Sequence, residues 1–188
     1  MIELCLQEYP ALSKILELAA FHRNLKIRSK ALKYFIDNFE EKYSKDYDPR
    51  VNIAFLPCSH PGTFAKPSEC YINSECTVMN FYVISQDLRF KVERFGVCQH
   101  PSNEKLLKSL KDDPPRYESK AKAIFEYLGS RQADFTEADL SVLIDLKFIP
   151  IRDRFRSNMV FLTSPRQCFF KVQEEYVYDY YFCVVLFF

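Results

Sequence analysis

Glycine is nearly missing from this 188-residue chain: the three present, at positions 62, 96 and 129, stand alone. Every glycine-rich phosphate-binding loop is thereby excluded, because such loops need closely spaced glycines to let backbone amides approach the phosphate. Net charge is equally scarce. Twenty-six Lys and Arg face 25 Asp and Glu, a formal +1, so there is no overall field to recruit nucleic acid or an anionic membrane. Long apolar runs are lacking too. The densest stretch, Tyr176 to Phe188, falls short of the about 20 residues a spanning helix needs. The start, Met1-Ile2-Glu3-Leu4, has no basic segment followed by an apolar core, so a secretory leader is not expected. No G-x-S-x-G elbow, H-E-x-x-H pair or calcium loop occurs, and no carboxylate pair sits where its pKa would rise. Catalysis is left without a named residue, and no cofactor or small-molecule substrate is expected.

What the chain does have is material for a core. Hydrophobic residues make up 48%, with 18 Phe and 12 Tyr, which excludes global disorder. The seven cysteines, at 5, 58, 70, 76, 98, 168 and 183, are odd in number and several sit in apolar runs. They read as reduced thiols serving as small hydrophobes, which points to the cytoplasm, with the nucleus as the alternative.

An internal repeat organises the sequence. Pro10 matches Pro101, and Lys14-Ile15-Leu16 matches Lys105-Leu106-Leu107. Ser29-Lys30-Ala31 and Phe35 match Ser119-Lys120-Ala121 and Phe125. Phe55-Leu56-Pro57 then matches Phe148-Ile149-Pro150, and Pro67, Cys70 and Tyr71 match Pro165, Cys168 and Phe169. Five collinear blocks, with length differences only between them, indicate a duplication. The reading is two units, 1–95 and 96–188, the second truncated or aberrant after about 172.

Each unit reads as helices followed by a strand pair. Ile15, Leu16, Ala19 and Ala20 recur at helical spacing, as do Leu32, Phe35, Ile36 and Phe39. In the second unit Ser102 caps a helix carrying Leu106, Leu107 and Leu110, a second carries Ala121, Ile124, Phe125 and Leu128, and Thr136 with Asp139 forms a capping box for a third. Strands are expected over 51–56, 68–72 and 77–84, and over 148–151 and 159–163. Pro57 and Pro150 should end strands, since proline donates nothing to a ladder, while Pro67 and Pro165 fix the entry to the next one. Alternation places Cys70 and Cys168 on the inner face. The fold expected is α+β, two tandem winged-helix-like repeats.

The phrase Phe55-Leu56-Pro57, a loop, then Pro67-Ser68-Glu69-Cys70-Tyr71 resembles the repeated signature of sacsin-like giant proteins. The block order from Pro10 through Ala31-Leu32-Lys33-Tyr34-Phe35, Phe95-Gly96-Val97 and Ala123-Ile124-Phe125-Glu126-Tyr127-Leu128 to Phe148-Ile149-Pro150 resembles a long region of large fungal proteins, domain of unknown function 3684. Those proteins carry an N-terminal GHKL-type ATPase domain. The resemblance runs to about Val172 and implies a scaffold or protein-interaction segment of a longer parent chain, whose partners are neighbouring domains or another protein. The family's nucleotide-binding motifs have no counterpart here, so ATP binding is not implied.

Two constellations are weighed against this reading. Cys58, His60, Cys70 and Cys76 offer zinc-type ligands, but there is no second knuckle, and only Cys70 recurs in the repeat. Buried thiols are the simpler account. Cys98 and His100 share a Cys-x-His spacing in a loop and lack an orienting group. The alternative function is nucleic-acid binding through segment 22–33, where Arg23, Lys26 and Arg28, with Lys30 and Lys33, gather at the front of a helix. The matching stretch of the second unit, Asp112 to Glu118, is acidic, which confines that alternative to one unit.

Overall fold

The computed structural model describes residues 9–152 and 160–167. Cys168 and Phe169 of the repeat, and the aromatic stretch from Tyr176, lie outside the described residues. The chain forms two compact units, one of residues 1–74 with 81–100, the other of 75–80 with 101–188. Among the described residues no helix is long and apolar enough to cross a membrane. The class is α+β.

In the first unit α1 (Leu12–Phe21) and α2 (Leu25–Asp37) bury the stripes their spacing dictates: Ile15, Leu16, Ala19 and Ala20 on one, Ala31, Leu32, Phe35 and Ile36 on the other. Phe35 is the hub. Its ring centroid lies 5.4 Å from Phe39, 5.7 Å from Tyr43, 5.7 Å from Phe55 and 5.1 Å from Phe95. Such aromatic pairs contribute about 0.5–1.5 kcal/mol each beyond the area they bury. A π-helical turn, Phe39–Tyr43, follows α2 and turns both of its end rings into this cluster. The widened turn stands where the second unit places a further helix. Gly96 closes a 3₁₀ turn at φ +81°, and a Cβ there would stand 2.6 Å from Pro49 Cβ, so only glycine fits.

The strands are short. β1 (Leu56–Pro57) pairs antiparallel with β2 (Phe64–Ala65), and β3 (Cys70–Tyr71) pairs parallel with β4 (Tyr82–Val83). Bridges Cys58↔Ile84 and Tyr71↔Cys98 extend these ladders. Of the strand expected over 51–56 only Leu56 pairs, and the start of the strand expected over 77–84 is a 3₁₀ segment, Ser74–Met79, with pairing only from Tyr82. The buried residues of that segment, Cys76 and Met79, are three apart, which suits three residues per turn and not the two-residue period of a strand. The strand expected over 68–72 likewise gives way at its start to a 3₁₀ turn opened by Pro67, a position where the missing amide costs nothing.

The second unit contains α3 (Asn103–Asp112), α4 (Glu118–Ser130) and α5 (Glu137–Asp145), then β5 (Ile149–Arg152) antiparallel to β6 (Val160–Thr163). Both expected caps form. Ser102 accepts from the Lys105 amide, and Thr136 and Asp139 close a reciprocal capping box. Phe125 and Phe148, 5.2 Å apart, sit in a core with Leu106, Leu110, Ile124 and Leu128. Pro150, expected to end its strand, is the second residue of β5. In a two-stranded ladder every strand is an edge, so its missing donor is tolerated.

The two hairpins share a register. Leu56 faces Ala65 and Pro57 faces Phe64 in one; Ile149 faces Thr163 and Pro150 faces Leu162 in the other. In each, a 3₁₀ turn begins with proline two residues after the second strand, at Pro67 and at Pro165.

Candidate functional site

The thiols are placed by the hairpin and the turn that follows it. Cys58 leaves β1 and is buried, its Sγ 3.8 Å from the Leu56 carbonyl. Cys70, fully buried, donates to the Lys66 carbonyl at 3.2 Å. Burial pushes the Cys58 thiol up to about 11. Burial and then the neighbouring Cys58 push Cys70 up to about 12. Both stay protonated at neutral pH, so neither stands as a free thiolate nucleophile. His60 is exposed in the β1–β2 loop. Cys76 belongs to the second unit, its Sγ 3.3 Å from Tyr127 Oη. Cys58, His60, Cys70 and Cys76 are therefore not brought together, and among the described residues no three His, Cys, Asp or Glu gather as a metal would require. Cys98 is exposed, and His100, half-buried, has Nε2 3.4 Å from Asn73 Nδ2.

The basic segment divides by role. Asn24 caps α2 by accepting from the Lys26 amide at 2.9 Å. Arg23, Lys26, Lys30 and Lys33 are exposed. Arg28 faces inward: its Nε donates to the Ala19 carbonyl at 3.0 Å, and its guanidinium carbon stands 3.4 Å above the centre of the Phe64 ring. It ties the end of α1 to the first hairpin through a hydrogen bond and a cation–π contact. Sequence reading could not pair residues 28 and 64, since no local period links them.

A buried cation was also missed. Arg131 is 7% exposed, with bonds from its guanidinium to Asp134 at 3.0 Å, the Pro101 carbonyl at 3.0 Å and Asn103 Oδ1 at 3.4 Å. Asn103 in turn donates to Asp139 Oδ2 at 2.9 Å. The network fastens the starts of α3 and α5 to the end of α4. Its signal lay in the same feature that hid it, a lone Arg between a helix end and a capping box.

The motif residues Phe55, Phe148 and Pro67 are buried, and Pro57 and Pro150 half-buried. They build the hairpins and offer no reactive group. Surface apolar groups are found elsewhere. Lys14, Glu17, Leu18, Phe21 and His22 line an open hollow of about 380 Å³ on the outer side of α1. Phe90 protrudes from the turn after β4, 98% exposed.

A family model described as a protein of unknown function (DUF3684) matches residues 1–187. No curated protein and no solved structure matches the chain.

Proposed function

The chain belongs to the DUF3684 family of proteins of unknown function, and from that membership we propose that it is a scaffold or protein-interaction segment without catalytic activity of its own. One observation carries the reading. Four side chains the sequence singled out are engaged in packing: Cys58 and Cys70 as protonated core thiols, Cys76 against Tyr127, Arg28 on Phe64. Phe90 and Phe21 stand open to solvent, 98% and 68% exposed, and in this proposal they are contact points for a partner. In this proposal the parent is a large sacsin-like, fungal, ATPase-linked protein of the cytoplasm, and the two units are tandem winged-helix-like repeats in its arm. The shared hairpin register at Pro57 and Pro150 supports the repeat.

The rival is nucleic-acid binding through segment 22–33. Exposed Arg23 and Lys26 favour it, while the inward Arg28 takes one cation away. Anisotropy titration with a labelled duplex separates the two. The scaffold reading expects weak binding that is unchanged in an Arg23→Glu, Lys26→Glu variant. Tight binding that collapses with salt and vanishes in that variant overturns it. Blotting the endogenous polypeptide should give a band far above 22.3 kDa; a band at that mass overturns the parent-protein proposal.

A further inference from the structure

We infer that the corner between α1 and α2 docks on an anionic lipid bilayer, its tip entering the headgroup layer and its cations holding the lipid phosphates. Every residue of 21–30 except His22 and Arg28 is exposed, so the corner protrudes from the first unit. Phe21, the last residue of α1, and Leu25, the first of α2, are 68% and 60% exposed. Standing at the adjoining ends of two successive helices, they give the corner an apolar tip.

Cations surround that tip. Arg23 lies in the turn, Lys26 follows Leu25, and Lys30 stands one helical turn farther along the same face of α2. Between Glu17 and Asp37 the chain has five cations and no acid. Among the described residues none of Arg23, Lys26 and Lys30 is paired with a carboxylate. Over the whole chain the charges nearly cancel, so the attraction belongs to this corner and acts within about 10 Å of it. Apolar side chains ringed by cations match a bilayer interface, where acyl chains take up the first and anionic headgroups the second. A nucleic-acid duplex would answer the cations and leave Phe21 and Leu25 in water, which is why the lipid surface is the occupant favoured.

The corner is set before any lipid is met. His22 Nδ1 accepts from the Asn24 amide at 3.0 Å, Asn24 Oδ1 accepts from the Lys26 amide at 2.9 Å, and Arg28 Nε donates to the Ala19 carbonyl at 3.0 Å from behind. Docking therefore has little backbone left to order.

The test is co-sedimentation of the full chain with vesicles. Vesicles of equimolar phosphatidylcholine and phosphatidylserine should carry the chain down, and vesicles of phosphatidylcholine alone should leave it in solution. Phe21→Ser with Leu25→Ser alters only exposed side chains, so circular dichroism should match the wild type while affinity for the anionic vesicles falls by about tenfold. Arg23→Gln with Lys26→Gln should weaken binding by about thirtyfold, the product of two cations at the surface. A chain that ignores the anionic vesicles, or binding that both double variants retain, overturns the inference. A loss confined to the cation variant overturns it too, because charge alone then recruits the segment; tight binding of a duplex by the serine variant would then favour the nucleic-acid rival. The inference rests on Phe21 as a contact point, but a chain that ignores vesicles removes only the lipid surface and leaves the scaffold reading, which needs none, standing.

Discussion

At the scale of single residues, the cysteines show how burial converts a reactive group into a packing one. Cys58 and Cys70 lose the water that would stabilise a thiolate, so folding holds their protons more tightly than the unfolded chain does. Stability from this source is complete below the ordinary thiol pKa of about 8.5. It declines as pH rises from there towards about 11 for Cys58 and about 12 for Cys70. Over that window each thiol removes about 1.4 kcal/mol per pH unit. Urea unfolding under reducing conditions should therefore give a midpoint that falls steeply above about pH 9. Cys70→Ala, less stable at neutral pH through the lost packing, should show a shallower alkaline decline. An unchanged slope in that variant would mean that Cys70 ionises without cost in the folded chain. The same residue shows what was legible beforehand. Parity along Glu69-Cys70-Tyr71-Ile72 placed the thiol inward and Tyr71 outward, whereas both are buried, because Glu69 belongs to a 3₁₀ turn and the strand is only two residues long. Nothing in that parity disclosed that Cys76 faces Tyr127, 51 residues along the chain.

At the scale of elements, legibility follows the range of the interaction that forms each one. α1 to α5 were readable because an apolar stripe and a cap are local, and Ser102 and Thr136 cap where their side chains dictate. The second hairpin was readable, its strands lying within a residue of the expected 148–151 and 159–163. The first was not, since of the strand expected over 51–56 only Leu56 pairs and its partner Phe64–Ala65 fell where no strand was expected. The parallel β3–β4 pair was not, because its register joins Cys70 to Tyr82 across a 3₁₀ segment that looks extended from composition alone. The π-helical turn at Phe39–Tyr43 was hidden for a similar reason: it answers to the aromatic cluster around Phe35, which assembles from 39 to 95. Among the caps, Thr136 carries the firmest expectation. Its Oγ1 accepts from the Asp139 amide at 3.2 Å, and Asp139 Oδ2 accepts from the Thr136 amide at 3.0 Å. Thr136→Ala should lower unfolding free energy by about 1 kcal/mol, within the range for N-cap loss. Denaturant titration with an unchanged slope and a lower midpoint is the expected result. An unmoved midpoint would show that Asn103, which also holds Asp139, suffices to fix the start of α5.

At the scale of the whole molecule, the composition of the two units differs from what a cut between repeats would produce. Residues 75–80 lie before the repeat boundary read at Phe95-Gly96, yet they form part of the second unit. Within that unit Cys76 is fully buried against Tyr127, Asn80 donates to Asp113 at 3.2 Å, and Lys120 donates to Asn80 at 3.1 Å. Asn80 holds the left-handed φ of +61° that lets the chain leave this segment for β4. A chain ending at Phe95 would keep Cys76 and Met79 while losing the side chains that cover them. Alkylation followed by peptide mapping checks this directly. In the full chain Cys76 should resist iodoacetamide while exposed Cys98 reacts. In a fragment of residues 1–95, Cys76 should react at the rate of an open thiol. Equal protection in both would show that the first unit can cover this segment unaided, which would place the folding boundary where the repeat places it. Reaction in the fragment alone would make the segment 75–80 part of the second unit's folding, so that this unit depends on chain that precedes residue 95.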